Sequence, residues 1–326
     1  MLLAGPAGVG KSAFAEALAA RLLCEKLETP AGFACGRCDA CHWFATSNHP
    51  DFRKVSLESD EEAGTEKDGK RSTGGKKTAS AKATQIRIDQ IRELEEFVFV
   101  GSHRHGNRVV VIDPADLMNA SAANSLLKIL EEPPSNIYFI LVSSRWRILL
   151  PTLRSRCRQL LFGIPEQDAA VAWLATQGVS DPKTKLSLAG GAPLKVLTIS
   201  AKESGGVVES VLAPLDQSIV DPLGLAALWN SELRSNSSLT LESLVDALQK
   251  WIYDLIRVKL DAKPKYMINK ISLLSTITKR ADLSKLTRCY GDLLKIRMVV
   301  NHPLNTLLFL EDVAARYAAA VAGPRT

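Results

Sequence analysis

The chain has 326 residues, enough for two or three domains that each bury a core. It is 46% hydrophobic and 23% charged, as soluble globular proteins are, and no apolar run approaches the roughly 18 residues that span a bilayer. The net charge of +6 fits contact with nucleic acid or an acidic partner, but equally a solvated basic surface.

The N-terminal segment MLLAGPAGVGK does not have the features of a secretion signal. It lacks a basic region, and glycines interrupt its apolar residues. We therefore expect a cytoplasmic protein whose cysteines are reduced. Residues 1–4 read as the end of a strand, which predicts that N-terminal sequence is missing or that the start is assigned late.

The first motif, GPAGVGKS, fits the phosphate loop G-x-x-x-x-G-K-[ST], and the alanine- and leucine-rich segment 11–23 predicts a helix directly after it. Glycines let backbone N–H groups approach phosphates, lysine reaches the β and γ phosphates, and the serine hydroxyl binds Mg²⁺. The alternative is a relic loop that no longer binds ATP or ADP. The residues assigned here to nucleotide and Mg²⁺ are Gly5, Gly8, Gly10, Lys11 and Ser12.

Residues 24–41 contain four cysteines in the spacing C-x₁₀-C-x₂-C-x₂-C: Cys24, Cys35, Cys38 and Cys41. Closely spaced thiols in a reducing compartment are typical of structural zinc, and four protein ligands leave no position open for catalysis. An iron–sulfur cluster is the alternative. His42 is a spare ligand that a complete set of thiols does not need.

Segment 56–84 has Leu57 as its only large apolar residue and changes from acidic to basic along its length. Such a composition cannot bury enough surface to offset the entropy of ordering, so it predicts a disordered insertion. The basic half could touch DNA, although a solvated spacer is the simpler interpretation.

From residue 85 the pattern predicts a helix to Val100, a strand at 108–112, a helix near 119–132 and a strand at 137–143. Alternating strands and helices after a phosphate loop predict a parallel sheet with helices on both faces. Asp113 closes the first of these strands, where a carboxylate can assist Mg²⁺; a simple turn aspartate is the alternative. Pro114, which follows it, offers no side-chain acceptor to orient a water molecule.

After the second strand, TLRSRC carries Arg154 and Arg156. Arginines at a domain edge usually pair with carboxylates or solvent, but a planar guanidinium also suits the γ-phosphate of a neighbour's nucleotide. Beyond about residue 165 the strand signal fades. We expect a nucleotide-binding domain over 1–165, a small helical domain over 166–205 and a larger all-helical domain over 206–326.

The phosphate loop, the four-cysteine segment, NSLLKILEEPP (124–134) and LRSRC occur in that order. Together they resemble the bacterial DNA polymerase III clamp-loader subunits of the AAA+ family, over essentially the whole chain apart from the insertion. The resemblance implies a hetero-pentamer with gamma/tau and delta subunits that places a sliding clamp on primed DNA. It also implies that 166–205 is a lid and that 206–326 belongs to an oligomerising collar.

The departures from the family pattern suggest a division of labour. Hydrolysing relatives have a glutamate where Pro114 stands and a lid arginine that aligns by eye near Leu194. The chain is thus most similar to members that act as a stator, hydrolyse ATP poorly or not at all, and donate the arginine of Ser-Arg-Cys, here Arg156, in trans. The alternatives are an active gamma/tau-like motor, and a zinc-containing nucleic-acid-binding protein with a relic loop.

Overall fold

The computed structural model describes residues 1–26, 32–57, 85–99, 106–201, 205–216, 221–236, 239–300 and 305–322. The chain divides into two compact units, 1–164 and 165–326. Most of the predicted insertion, residues 58–84, lies outside the described residues, as does Val100. Among the described helices, none combines the length and apolar composition needed to cross a bilayer.

The first unit is a parallel five-stranded sheet in the order β2-β3-β4-β1-β5. Its strands are Leu2–Ala4 (β1), Phe52–Val55 (β2), Arg108–Ile112 (β3), Ile137–Ser143 (β4) and Gln159–Leu161 (β5). Its helices are Lys11–Leu23 (α1), Asp39–Ala45 (α2), Ile88–Phe99 (α3), Ala120–Glu131 (α4) and Pro151–Arg156 (α5).

Side-chain alternation along the strands gives each face of the sheet its own core. Val110 and Ile112 of β3 pack with α3, α4 and α5, whereas Val109 and Val111 pack with α1. Because successive strand residues point to opposite faces, the apolar run 109–112 of β3 needs helices on both sides. The predicted parallel sheet with helices on both faces is confirmed.

The predicted helix at 85–100 begins later than the sequence indicated. Ile86 instead forms a parallel bridge with Met118, and its amide donates to the carbonyl of Leu117. The amide of Arg87 donates to the side chain of Gln90, so the helix begins at Ile88. The extended pairing of Ile86 therefore keeps residues 85–87 out of the helix, despite their helix propensity.

The secondary structure that the second unit shows in its described residues is all helical. Its helices are Gln167–Thr176 (α6), Pro182–Leu188 (α7), Pro193–Ala201 (α8), Gly205–Leu212 (α9), Pro222–Ser235 (α10), Leu241–Lys259 (α11), Ile271–Arg280 (α12), Leu283–Val299 (α13) and Thr306–Val321 (α14). One small core lies among α6, α7 and α8, and a larger one joins α9 to α14.

The long helix α11 forms the centre of the larger core. Thr240 and Ser243 cap its first turn reciprocally, and apolar side chains at helical spacing bury its inner face. Trp251 on that face donates from Nε1 to the Tyr317 hydroxyl of α14 at 3.1 Å. Asp254, also buried, accepts the backbone amides of residues 265–267 at 2.7–2.8 Å and so fixes the chain that leads to α12.

Candidate functional site

The phosphate loop lies between the end of β1 and the start of α1, the context that the motif requires. Gly10 caps α1 with a φ of 106°, a left-handed conformation that side chains disfavour. The first amides of α1 therefore point into the loop, where a helix N-terminus favours an anion. Ser12 is exposed in the first turn of this helix.

Gly5, at the start of the loop, has no room for a side chain. A Cβ built at this position would lie 2.2 Å from the carbonyl oxygen of Phe162. The Phe162 amide in turn donates to the carbonyl of Ala4 at 2.7 Å, which continues the β1–β5 ladder. The glycine thus lets the loop leave the sheet directly against the neighbouring strand.

Lys11 has its ammonium folded over the loop. Its Nζ donates to the carbonyl of Pro6 at 2.6 Å and to Ser144 Oγ at 3.2 Å, and the residue is 4% exposed. Burial lowers the pKa of Lys11, while the nearby carboxylates of Asp113 and Asp116 act to raise it. The ammonium therefore sits among acceptors at the mouth of the loop, in reach of the space where phosphates bind in such loops.

Asp113 follows β3 directly, as predicted, and its negative charge acts to raise the pKa of Lys11. Its backbone amide donates to the carbonyl of Val55 at 3.0 Å, which fixes the residue at the carboxyl edge of the sheet. Pro114 comes next and carries no polar side chain. The edge of the sheet therefore carries a carboxylate at residue 113 and no side-chain acceptor at residue 114.

Asp116 is a member of this site that motif reasoning did not identify. Its side chain is 5% exposed and accepts hydrogen bonds from Ser143 Oγ at 2.8 Å, the Ser144 amide at 3.1 Å and Arg145 Nε at 3.0 Å. Burial by itself would raise the pKa of Asp116, but hydrogen bonds from Arg145 and the two serines hold it below the ordinary value. The carboxylate thus stays ionised and clamps the end of β4.

Arg156 is the last residue of the short helix α5, which follows β4 in the chain. Pro151 occupies the first turn of this helix, a position where proline needs no amide hydrogen bond. The guanidinium donates from Nη2 to Glu131 Oε1 at 2.7 Å and from Nη1 to the carbonyl of Thr152 at 3.3 Å. The Arg156 side chain is 37% exposed and that of Glu131 is 52% exposed.

This ion pair joins the two most specific strings of the sequence, since Glu131 belongs to LEEPP and Arg156 to LRSRC. Arg154 points differently: its guanidinium stacks over the Trp146 ring at 5.1 Å, and its Nε is buried without a hydrogen-bond partner in the described residues. Of the two arginines, Arg156 is therefore the one that can be presented to another molecule.

The four cysteines converge, although Cys24 ends α1 and the other three lie around the start of α2. Their sulfur atoms all lie within 4.8 Å of one another, with Cys35 Sγ and Cys41 Sγ 3.9 Å apart. The Cys35 amide donates to Cys24 Sγ at 3.3 Å, which draws the distant first cysteine into the group. This cluster could bind a metal ion.

The thiols of the cluster differ in acidity: the pKa of Cys38 is lowered, whereas burial and the hydrogen bond with Cys38 raise the pKa of Cys41 to about 12. Burial acts to raise the pKa of Cys38, but backbone hydrogen bonds from Cys41 and Glu25 and the neighbouring thiols lower it to about 6. A thiol with such a pKa is largely thiolate at neutral pH, the form that binds metals. By contrast, Cys157 and Cys289 are buried singly, and burial raises the pKa of each.

Leu194 lies in the first turn of α8, in the second unit. Hydrolysing relatives have an arginine near this position. The nearest cation in sequence here is Lys195, but its ammonium lies 3.9 Å from Asp246 Oδ2 of α11.

The sequence profile of the family described as DNA polymerase III, delta subunit, matches residues 1–165, just over half of the chain. The DNA polymerase III delta-prime subunit of Pseudomonas aeruginosa is 32% identical, over 98% of this chain and 91% of that protein. The delta-prime subunit of Escherichia coli is 29% identical over 77% of this chain and 70% of that protein. The gamma/tau subunit of Mycobacterium bovis is 29% identical over 65% of this chain but only 36% of that protein. The chain therefore belongs to the DNA polymerase III delta-prime family of clamp-loader subunits.

Proposed function

We propose that this chain is the stator of a clamp loader: it binds nucleotide without turning it over and donates Arg156 in trans to the ATP site of an adjacent gamma/tau subunit. The observation that carries the proposal is that the chain lacks, at residue 114, a group that would orient water at its own phosphate loop but exposes an arginine that a neighbour could use. The phosphate loop is intact while Pro114 replaces a water-orienting residue, and Arg156 stands exposed at the end of α5.

The surroundings of Arg156 support its transfer to another subunit. Its pair with Glu131 is solvent-exposed, and such pairs contribute only about 0–1 kcal/mol to stability. A γ-phosphate that accumulates charge in the transition state is a stronger acceptor, since bidentate arginine contacts with phosphate are charge-assisted and geometrically matched. Glu131 therefore holds the Arg156 guanidinium at the end of α5, and breaking this ion pair costs little free energy.

Nucleotide binding at the phosphate loop is supported by Gly10, by the first amides of α1 and by Lys11. Asp113 and Ser12 are the groups that would assist Mg²⁺, which supplies charge neutralisation between the phosphates when bound. Lys11 would exchange its contact with the carbonyl of Pro6 for phosphate oxygens. Without general-base help, which is worth about 10²- to 10⁴-fold, hydrolysis at this loop is slow or absent.

We further propose that the four-cysteine cluster holds a structural Zn²⁺. A tetrahedral site with Zn–S bonds of about 2.3 Å separates its sulfurs by about 3.8 Å, close to the 3.9 Å between Cys35 and Cys41. The ion would be held by Cys24, Cys35, Cys38 and Cys41 and would stabilise a segment with only a small core of its own. Iron is the alternative metal for this cluster, and elemental analysis distinguishes it from zinc.

The partners follow from the family. We propose assembly with gamma/tau and delta in a hetero-pentamer, with 166–205 as a lid and 206–326 as the part that joins the collar. Through that complex the chain would act on the sliding clamp and primed DNA. Its own contact with DNA would be modest and mainly with phosphates, so that binding weakens as salt rises.

An active gamma/tau-like motor is the second candidate, because the phosphate loop is complete. ATP turnover by the purified chain separates the two. We expect binding of MgATP or MgADP that Lys11→Ala abolishes, with no steady hydrolysis. Steady hydrolysis by the chain alone that Lys11→Ala removes would favour the motor.

Assembly is tested independently by gel filtration of the full chain with gamma/tau and delta. Co-elution of the three proteins is expected. A chain that elutes by itself under conditions in which gamma/tau and delta associate would contradict the stator.

A further inference from the structure

The carboxylate of Asp116 connects two loops that come from different strands. Asp116 follows β3 by four residues, and its three donors, Ser143, Ser144 and Arg145, begin at the last residue of β4. The bonds are divided between its two oxygens: Oδ1 accepts from both serines, and Oδ2 accepts from Arg145. The carboxylate is buried, so these bonds are little weakened by solvent.

One of these donors also touches the phosphate loop. Ser144 is fixed through its amide by Asp116, and its hydroxyl oxygen lies 3.2 Å from Lys11 Nζ. Asp116 also acts on Lys11 through its charge. A path of two direct contacts thus leads from the turn after β3 to the ammonium at the mouth of the loop.

We propose that Asp116 is a positioning residue of the nucleotide site: by fixing Ser143 and Ser144 it holds the Ser144 hydroxyl against Lys11 and presets the lysine for the terminal phosphate of a nucleoside triphosphate. The inference rests on the proposed binding of nucleotide. Its physical basis is preorganisation, since groups that are already ordered lose less entropy when the ligand binds. Asp116 itself touches no phosphate.

The division of bonds between the two oxygens makes the proposal testable with near-isosteric changes. Asp116→Asn keeps an oxygen at the Oδ1 position for Ser143 and Ser144, but loses the acceptor for Arg145 and the negative charge. Asp116→Ala removes all three bonds, whereas Arg145→Ala removes only the Oδ2 partner. Ser144→Ala removes the hydroxyl that faces Lys11 and leaves the backbone bond to Asp116 in place.

The experiment measures dissociation constants of the full chain for MgATP and MgADP by calorimetry, together with the melting temperature of each variant. Asp116→Ala and Ser144→Ala should each weaken MgATP binding about tenfold, as expected for one lost hydrogen bond. Asp116→Asn, which keeps an oxygen for both serines, should weaken MgATP binding less than Asp116→Ala does, and Arg145→Ala should stay within about threefold of wild type. MgADP should be affected less than MgATP, because the preset lysine serves the terminal phosphate.

Because Asp116 acts through Ser144, the double variant Asp116→Ala/Ser144→Ala should bind MgATP no more weakly than the weaker single variant. Additive losses, or a folded Asp116→Ala chain that binds like wild type, would overturn the inference. If Asp116→Ala does not fold, unchanged MgATP affinity in Ser144→Ala overturns it instead. Wild-type chain that binds neither nucleotide is a separate result, which refutes nucleotide binding itself.

Discussion

At the scale of single residues, the site divides into groups that a short motif contains and groups that the fold assembles. Gly10, Lys11, Asp113 and Arg156 each stand in a contiguous string with its own chemical meaning, so the sequence predicted their positions. Asp116 was missed because its donors lie 27 to 29 residues away in sequence. The register of β3 beside β4 brings them together, and a motif of a few residues does not contain that register.

Gly5 provides a prediction at this scale. Gly5→Ala places a Cβ against the carbonyl oxygen of Phe162. Because the amide of Phe162 is part of the β1–β5 ladder, the backbone must move to make room for that Cβ. We expect a loss of more than about 1 kcal/mol in the free energy of unfolding, measured by urea denaturation. Gly163→Ala is the matched control, because a Cβ there meets nothing within 4 Å. Equal effects of the two substitutions would show that the close approach is not what requires glycine at residue 5.

The exposed pair of Glu131 and Arg156 gives a second residue-scale prediction. Glu131→Gln should change the free energy of unfolding by less than about 1 kcal/mol, since exposed pairs contribute little. Chemical denaturation of the full chain checks this value. A loss of several kcal/mol would mean that Arg156 serves the stability of its own chain and is not held for a neighbour.

At the scale of elements, the helices and strands with strong periodicity were predicted closely. α1, β3 and β4 have the predicted bounds, and α4 matches its predicted range of 119–132 to within one residue. β2 and β5 were not predicted, because β2 carries two charged residues among four and β5 has three exposed residues on a sheet edge. Their place is determined by pairing with β3 and β1, which is a property of the tertiary structure.

The metal cluster gives a prediction for the segment from Cys24 to α2. Cys35→Ser should lower the zinc content from about one ion per chain and loosen this segment, because a structural site contributes its binding energy to local folding. Elemental analysis and hydrogen exchange of residues 24–45 measure the two effects. The control is Cys289→Ser, because Cys289 lies in the other unit. This variant should keep the metal. Wild-type protein without zinc, or with iron, would contradict the assignment.

Asp246 of α11 gives a pH prediction for the second unit. Its carboxylate lies 2.7 Å from Lys250, 3.2 Å from Arg297 of α13 and 3.9 Å from Lys195 of α8. Burial acts to raise the pKa of Asp246, but these cations hold it below its ordinary value of 3.8. Burial also lowers the pKa of Lys250, since desolvation of the ammonium outweighs its attraction to Asp246.

Because the folded pKa of Asp246 is the lower one, its stabilising contribution is complete above the unfolded value of 3.8 and is lost as pH falls through the folded pKa. The free energy of unfolding should therefore fall less steeply below about pH 4 in Asp246→Asn than in wild type. Denaturation followed by tryptophan fluorescence measures this slope. A wild-type slope in Asp246→Asn would contradict this prediction.

At the scale of the whole molecule, the phosphate loop and Arg156 have separate roles in the proposed function. In the proposed arrangement, the phosphate loop receives a nucleotide that the chain does not efficiently cleave, because Pro114 after Asp113 offers no acceptor to orient water. The Arg156 guanidinium would then complete cleavage in another subunit. The family that the motifs resemble implied this arrangement before the fold was known, whereas the side chains that surround Arg156 could come only from the fold.

The most direct test of this arrangement is DNA-stimulated ATP turnover by the complex reconstituted with gamma/tau, delta and either wild-type chain or Arg156→Ala. Arg158→Ala, an exposed arginine two residues later, is the control. The Arg156→Ala complex should assemble normally and hydrolyse ATP more slowly, since an arginine donated in trans contributes about 10³-fold or more at the site it serves. An assembled Arg156→Ala complex with wild-type turnover would contradict the account.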